Sequence, residues 1–144
     1  MKIALINGSP KVNNSASKIL LADLKRILTA HTQNSPAEKN EILEIDMHNT
    51  VVSTEALKML HDSDTWVIVC PLYVDGIPAH LLSCLVQLET CDWTDCPIRI
   101  HGIVNCGFYE GIQAEFALDI LQNWSAKTGL TWGGGIGIGG GGAL

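Results

Sequence analysis

Two hydrophobic periods alternate along this chain. Short continuous apolar runs, bounded by turn-forming residues, recur between longer stretches whose apolar positions lie three and four apart. The first run covers residues 2–7 and passes into Asn7-Gly8-Ser9-Pro10-Lys11 and then Asn13-Asn14-Ser15-Ala16-Ser17. From there Ile19, Leu20, Leu24, Ile27 and Leu28 repeat at helical spacing, with Lys18, Asp23, Lys25 and Arg26 on the outside. This predicts a strand over 2–7 and a helix over 15–30. Residues 31–40 are polar, hold Pro36, and predict a loop. Residues 41–46 set Ile42 and Ile45 among acids, as in a strand near a sheet edge. Ser53 is placed as an N-cap ahead of Ala56, Leu57, Met59 and Leu60, and Asp62-Ser63-Asp64 ends that helix.

Residues 65–70, Thr-Trp-Val-Ile-Val-Cys, form the β-prone run expected of a central strand covered on both faces. A loop over 71–76 leads to a helix over 77–90 with Pro78 in its first turn, where proline is tolerated. A turn-rich connection over 91–97 precedes a strand over 98–106, made less pure by Arg99 and His101. After a loop over 107–111 comes a helix over 112–128, with Phe116, Leu118, Ile120, Leu121 and Trp124 as inward candidates and Gly129 closing it. A last strand over 130–138 is weakened by its glycines.

Strands alternating with such helices imply right-handed crossovers and a parallel sheet, an α/β fold. Ligands of such sheets bind beyond the carboxyl ends of the strands, where strand order reverses. In the order 2-1-3-4-5 the first, third and fourth strands are neighbours. The loops that follow them, over 9–17, 71–77 and 105–111, are the three of unusual composition, and this order sets them on one rim.

Composition narrows the picture. At 144 residues, 47% hydrophobic and 17% charged, the chain suits one folded domain over 1–144. A net charge of −6 without a Lys/Arg cluster argues against nucleic acid. No apolar run approaches the roughly 20 residues that span a bilayer. The opening run is too short for a signal peptide, so a cytoplasmic protein is expected. The five cysteines are an odd number without a Cys-x-x-Cys pair, which favours buried free thiols over a metal site. Trp66, Trp124 and Trp132 read as core, Trp93 as a loop residue available to an interface, and His80 and His101 as structural. The tail spells Gly137-Ile138-Gly139-Gly140-Gly141-Gly142, but no helix follows it. It is therefore no dinucleotide motif, and a mobile terminus from about residue 133 is expected.

The candidate chemistry starts in the first loop. A helix start offers unpaired N–H groups and a positive dipole end, and Ser9, Ser15 and Ser17 add hydroxyls. That is a phosphate cradle, although serine and asparagine are also ordinary N-caps. Lys11 is either a further contact or solvated surface. Tyr73, after Pro71 at the end of a central strand, is placed to lie against a planar ligand or to pack in the core. Glu110 suits the start of the fourth helix. No nucleophilic triad, carboxylate pair or histidine cluster emerges.

Taken in order, three motifs resemble those of the flavodoxin-like NAD(P)H-dependent FMN reductases. They are Gly8-Ser9-Pro10-Lys11 with Ser15 and Ser17, then Pro71-Leu72-Tyr73 with Gly76-Ile77-Pro78-Ala79, then Asn105-Cys106-Gly107-Phe108 with Glu110 and Gln113. The resemblance runs over essentially the whole chain. It implies a flavodoxin-like three-layer sandwich with a five-stranded parallel sheet in the order 2-1-3-4-5. It also implies FMN as cofactor, NADPH or NADH as co-substrate, and a small-molecule electron acceptor or redox protein as partner. Carried over by motif, Ser9, Lys11, Asn14, Ser15, Ala16 and Ser17 would hold the FMN phosphate. Pro71, Leu72, Tyr73, Val74, Asp75 and Gly76 would lie along the ring, with N–H groups of residues 74–76 meeting its charge. Asn105, Cys106, Gly107, Phe108 and Gly111 would close its other side.

The flavin would carry the chemistry, with no catalytic side chain required and no metal. A homodimer or higher homo-oligomer is implied as well. Where many members carry a lysine and an acid–arginine pair in the third helix, this chain has Leu82 and Val86-Gln87. The last helix usual in such a domain is missing before Leu144, so that either the sequence is a fragment or the helix's place is filled otherwise, as by a second subunit. Two rival classes stay open: a flavodoxin-type electron carrier without a nicotinamide site, and an interaction domain that keeps the fold without the ligand.

Overall fold

The computed structural model describes residues 1–35 and 37–141. Its strands are β1 (Lys2–Asn7), β2 (Glu41–Asp46), β3 (Thr65–Pro71), β4 (Arg99–Asn105) and β5 (Thr131–Ile138). They form one sheet in the order β2-β1-β3-β4-β5, with every neighbouring pair parallel. The helices are α1 (Ala16–Asn34), α2 (Thr54–His61), α3 (Ala79–Glu89) and α4 (Glu115–Thr128), with a short 3-10 turn at Gly111–Ala114 before α4. This is the flavodoxin-like architecture, and β2 is an edge strand as its acid-flanked pattern predicts.

The two sheet faces are covered unequally. One buries Ala4, Ile6, Trp66, Ile68, Ile100 and Val104 against Leu60 of α2, Leu81, Leu85 and Leu88 of α3, and Leu121 and Trp124 of α4. The other buries only Ile3, Leu5, Val67 and Val69, under Leu20, Leu21, Leu24 and Leu28 of α1. No helix follows β5 among the described residues, so a cavity of about 420 Å³ beside α1 is lined by Leu24, Val67, His101 and Ile103 together with strand β5. Burial, and secondarily the neighbouring Arg99, lower the pKa of His101 there.

Several expectations need correction. Helix α1 continues through residues 31–34, read as loop from their polarity; Thr32 Oγ1–H donates to Leu28 O at 3.1 Å and Ser35 N–H to His31 O at 3.0 Å. Polar side chains on the solvent side do not stop a helix already propagating. Ile19 and Ile27 are exposed rather than inward. In α4, Phe116 and Ile120 are also exposed, and the buried stripe is Ala117, Leu121, Trp124 and Ser125. Small residues there let the helix sit close to the sheet. Trp93 is buried, with its ring 4.2 Å from His61 in a stack and 5.3 Å from Trp66 edge-on. Its indole N–H donates to Leu88 O at 2.8 Å, so it is a core residue and unavailable to an interface.

The glycine-rich end has a defined place as far as Gly141. Glycines of β5 pair with β4, while Gly140 N–H donates to Phe108 O and Gly141 N–H to Cys106 O. A Cβ at Gly139 would lie 2.1 Å from Tyr109 O, so only glycine permits this close approach. Gly142 and the two residues after it lie outside the described residues.

Candidate functional site

The carboxyl edge of β1, β3 and β4 opens into a cavity of about 300 Å³. Ser9, Lys11, Asn14, Ser15, Ala16 and Ser17 line it from the first loop, Pro71 and Tyr73 from the second, and Asn105 from the third. The predicted convergence of three loops is therefore present. Ile19 and Gly141 also line it, and neither is among the residues expected from sequence.

The first loop is built by short polar contacts. Gly8 N–H donates to Val69 O at 2.8 Å, and its missing Cβ makes room for Leu81 Cδ2, which would lie 2.8 Å away. Asn7, buried at the end of β1, accepts from Ser9 N–H at 3.1 Å; Ser9 Oγ accepts from Lys11 N–H at 3.2 Å. Asn14 takes a left-handed φ of 54°, which asparagine tolerates better than most residues. Ser15 then caps α1, its Oγ accepting from Lys18 N–H at 3.1 Å. Ser17 Oγ–H donates to Asn105 Oδ1 at 2.8 Å, both side chains buried, and ties the start of α1 to the end of β4. Among the described residues, the N–H groups of Asn14 through Ser17 find no protein acceptor. They leave a cluster of donors at the positive end of a nineteen-residue helix.

The second loop is a two-residue hairpin. Tyr73 N–H donates to Gly76 O at 2.9 Å and Gly76 N–H to Tyr73 O at 3.0 Å. Val74 and Asp75 between them have φ of 48° and 60°. Such turns require positive φ at both central positions, and a β-branched valine there is strained by about 1–3 kcal/mol. Strain at a rim is a feature of ligand clamps. Gly76 N–H is used inside the turn, so of residues 74–76 only Val74 and Asp75 keep free amides, a correction to the expectation of three. Tyr73 is 41% exposed, a wall of the cavity rather than core.

The third loop is braced from below. Cys106 is buried, and its thiol points at Phe108 O, 3.8 Å away, and Glu110 O, 3.6 Å away. Leu72, Val74, Asp75, Gly76, Cys106, Gly107 and Phe108 do not line this cavity; Leu72 packs against the core and Cys106 is buried. Phe108 and Tyr109, in the same loop, are exposed. Gly111 lies elsewhere: a Cβ on it would meet Gly137 O at 2.2 Å, so it packs backbone to backbone on β5. Cys70, beneath Gly8, is inert; burial pushes its thiol up to about 12, well above the range where thiolate forms. No group of three His, Cys, Asp or Glu converges as a metal site among the described residues. No helix there is long and apolar enough to cross a membrane.

No family model matches the sequence, and no curated protein does. Solved structures do. An FMN-dependent NADH-azoreductase from Bacillus anthracis str. Ames Ancestor, in complex with FMN, is 16% identical, with a TM-score of 0.67 over 100% of this chain and 90% of that one. An oxidoreductase from Corynebacterium diphtheriae is 13% identical, with a TM-score of 0.72 over 94% and 81%. A short-chain flavodoxin associated with a bacterial microcompartment is 15% identical, with a TM-score of 0.67 over 96% and 84%. At these identities the likeness is one of fold. The neighbours are flavodoxin-like FMN reductases, azoreductases and quinone reductases beside flavodoxins, and this chain shares their architecture.

Proposed function

We propose that this chain binds FMN at the carboxyl edge of its sheet and acts as an oxidoreductase. It would take hydride from NADH or NADPH and deliver electrons to flavin, a quinone or a similar acceptor. The observation that carries this is the single cavity in which the free amides of Asn14–Ser17, the Tyr73 ring and Asn105 meet. The donor set fits a phosphate: backbone N–H groups at a helix start, with Lys11 the one cation in the lining. Asn105 and the Ser17 hydroxyl hold the wall between that seat and the third loop. Tyr73 in the cavity wall, with Phe108 and Tyr109 exposed in the third loop, offers aromatic surface for a planar ring. Val74 and Asp75 present their amides at the rim. The cofactor, when bound, would supply the hydride and electron transfer that no side chain here supports.

Exposed Leu82 and Val86 on α3, with Phe116 and Ile120 on α4, support a homodimer through these helices. A cytoplasmic location is part of the same reading. A second reading, a flavin electron carrier, is favoured by the short-chain flavodoxin that matches 96% of this chain. Purified protein with FMN and a quinone should oxidise NADH or NADPH steadily. Flavin bound without turnover would favour the carrier, and no flavin binding at all would overturn both readings.

A further inference from the structure

The histidine that follows β2 lies behind the phosphate-binding loop and is aimed at it. His48 Nδ1 is 2.7 Å from Ser9 O, and the imidazole is 15% exposed. Since the partner is a carbonyl, Nδ1 carries the proton in this contact. The aim is set by the residue before it. Met47, buried, donates its N–H to Asn7 O at 2.8 Å, and its own carbonyl lies 2.7 Å from His80 Nε2 on α3. Met47, immediately before His48, is thus pinned to β1 through its N–H and to α3 through its carbonyl.

The carbonyl it holds is the one the loop can least leave free. Ser9 precedes Pro10, so the Ser9–Pro10 peptide has no N–H and offers a ligand only its negative pole. Turned inward, that oxygen would oppose an anion among the amides of Asn14–Ser17. It is instead directed at His48, which does not line the cavity. The other polar groups of Ser9 bond within the loop, to Asn7 and Lys11.

We propose that His48 is a positioning residue for anion binding: its Nδ1–H holds the Ser9 carbonyl out of the cavity and keeps the first loop in an anion-accepting form. This rests on the reading of that cavity as a phosphate seat. It predicts an effect confined to the phosphate end of a ligand. Affinities for FMN and for riboflavin, which lacks the phosphate, are measured by flavin fluorescence in the wild type, His48→Leu and His48→Asn. Leucine removes the donor, whereas the asparagine amide restores one close to the Nδ1 position.

FMN affinity is expected to fall roughly tenfold in His48→Leu and to recover in His48→Asn, with riboflavin affinity the same in all three. Equal losses for both flavins, or an FMN affinity unchanged by leucine, would overturn the assignment. If the wild type binds no FMN, the functional reading falls by itself, and inorganic phosphate then decides the role of His48. Titrated phosphate should shift the amide NMR signals of Ala16 and Ser17 in the wild type and His48→Asn, and weakly in His48→Leu. Equal shifts in all three proteins, or none in any, would overturn it.

Discussion

The two ends of the sheet each carry a cavity, and the larger one is at the amino end. There, Cys91–Pro97 with Thr128 and Gly129 surround about 610 Å³, twice the space at the carboxyl end. Several of its N–H groups are nevertheless satisfied from within. Thr94 N–H donates to Asp92 Oδ1, Cys96 N–H to Trp93 O, Ile98 N–H to Cys96 O and Leu130 N–H to Ser125 O. Trp93 fills its floor with a ring that belongs to the core. At the carboxyl end the cavity is smaller, but a run of amides lacks acceptors and a valine sits in a left-handed turn. Volume alone points to the amino end, where Asp95 also has a left-handed φ of 60°, whereas the unbroken run of unspent donors at Asn14–Ser17 favours the proposed site at the carboxyl edge.

That contrast is broken most forcefully at Trp93. Trp93→Ala should lower stability by about 3 kcal/mol or more, read from urea unfolding, with FMN affinity of the folded protein unchanged. Ser17→Ala should do less to stability, about 1–2 kcal/mol, because Asn105 Oδ1 is left buried without its donor. It should also weaken FMN binding, a combination that Trp93→Ala does not produce. In the second loop, Val74→Asn should raise stability by about 1 kcal/mol, since asparagine accepts positive φ more readily.

The smallest effect concerns pH. The Cys70 thiol is raised by burial from 9.0 to about 12, so the folded chain keeps a proton that the unfolded chain loses. Its contribution is fully present below pH 9 and is lost as pH rises toward 12. Urea midpoints across that interval should fall less steeply in Cys70→Ala than in the wild type.

Strands were the most legible part of this sequence. The boundaries of β1 and β2 match the expected spans, β3 and β5 differ from theirs by one residue at one end, and β4 by one residue at each end. A run buried on both faces leaves little choice of period or register. Helix faces were harder. In α4 the apolar residues occupy more than one side, so periodicity marks the helix without saying that Ala117, rather than Phe116, meets the sheet. Trp93 was misread because a tryptophan in a turn-rich segment carries no sign of the ring stack beneath it. At the site, Ser9, Ser15, Ser17, Tyr73 and Asn105 were visible as composition at loop starts. Gly141 was not, because its place depends on how the tail runs along the third loop. His48 was not either, because its contact with Ser9 joins residues 39 apart through the pairing of β1 with β2. Asn7 did carry a signal: a buried apolar run that ends in an amide side chain.

The most direct test maps FMN onto the backbone by amide chemical shifts. Perturbations should concentrate in Asn14–Ser17, Tyr73–Asp75 and Asn105–Phe108, with the Cys91–Pro97 loop unmoved. Shifts centred on the amino-end loop, or none anywhere at saturating FMN, would contradict a phosphorylated planar ligand at the carboxyl edge.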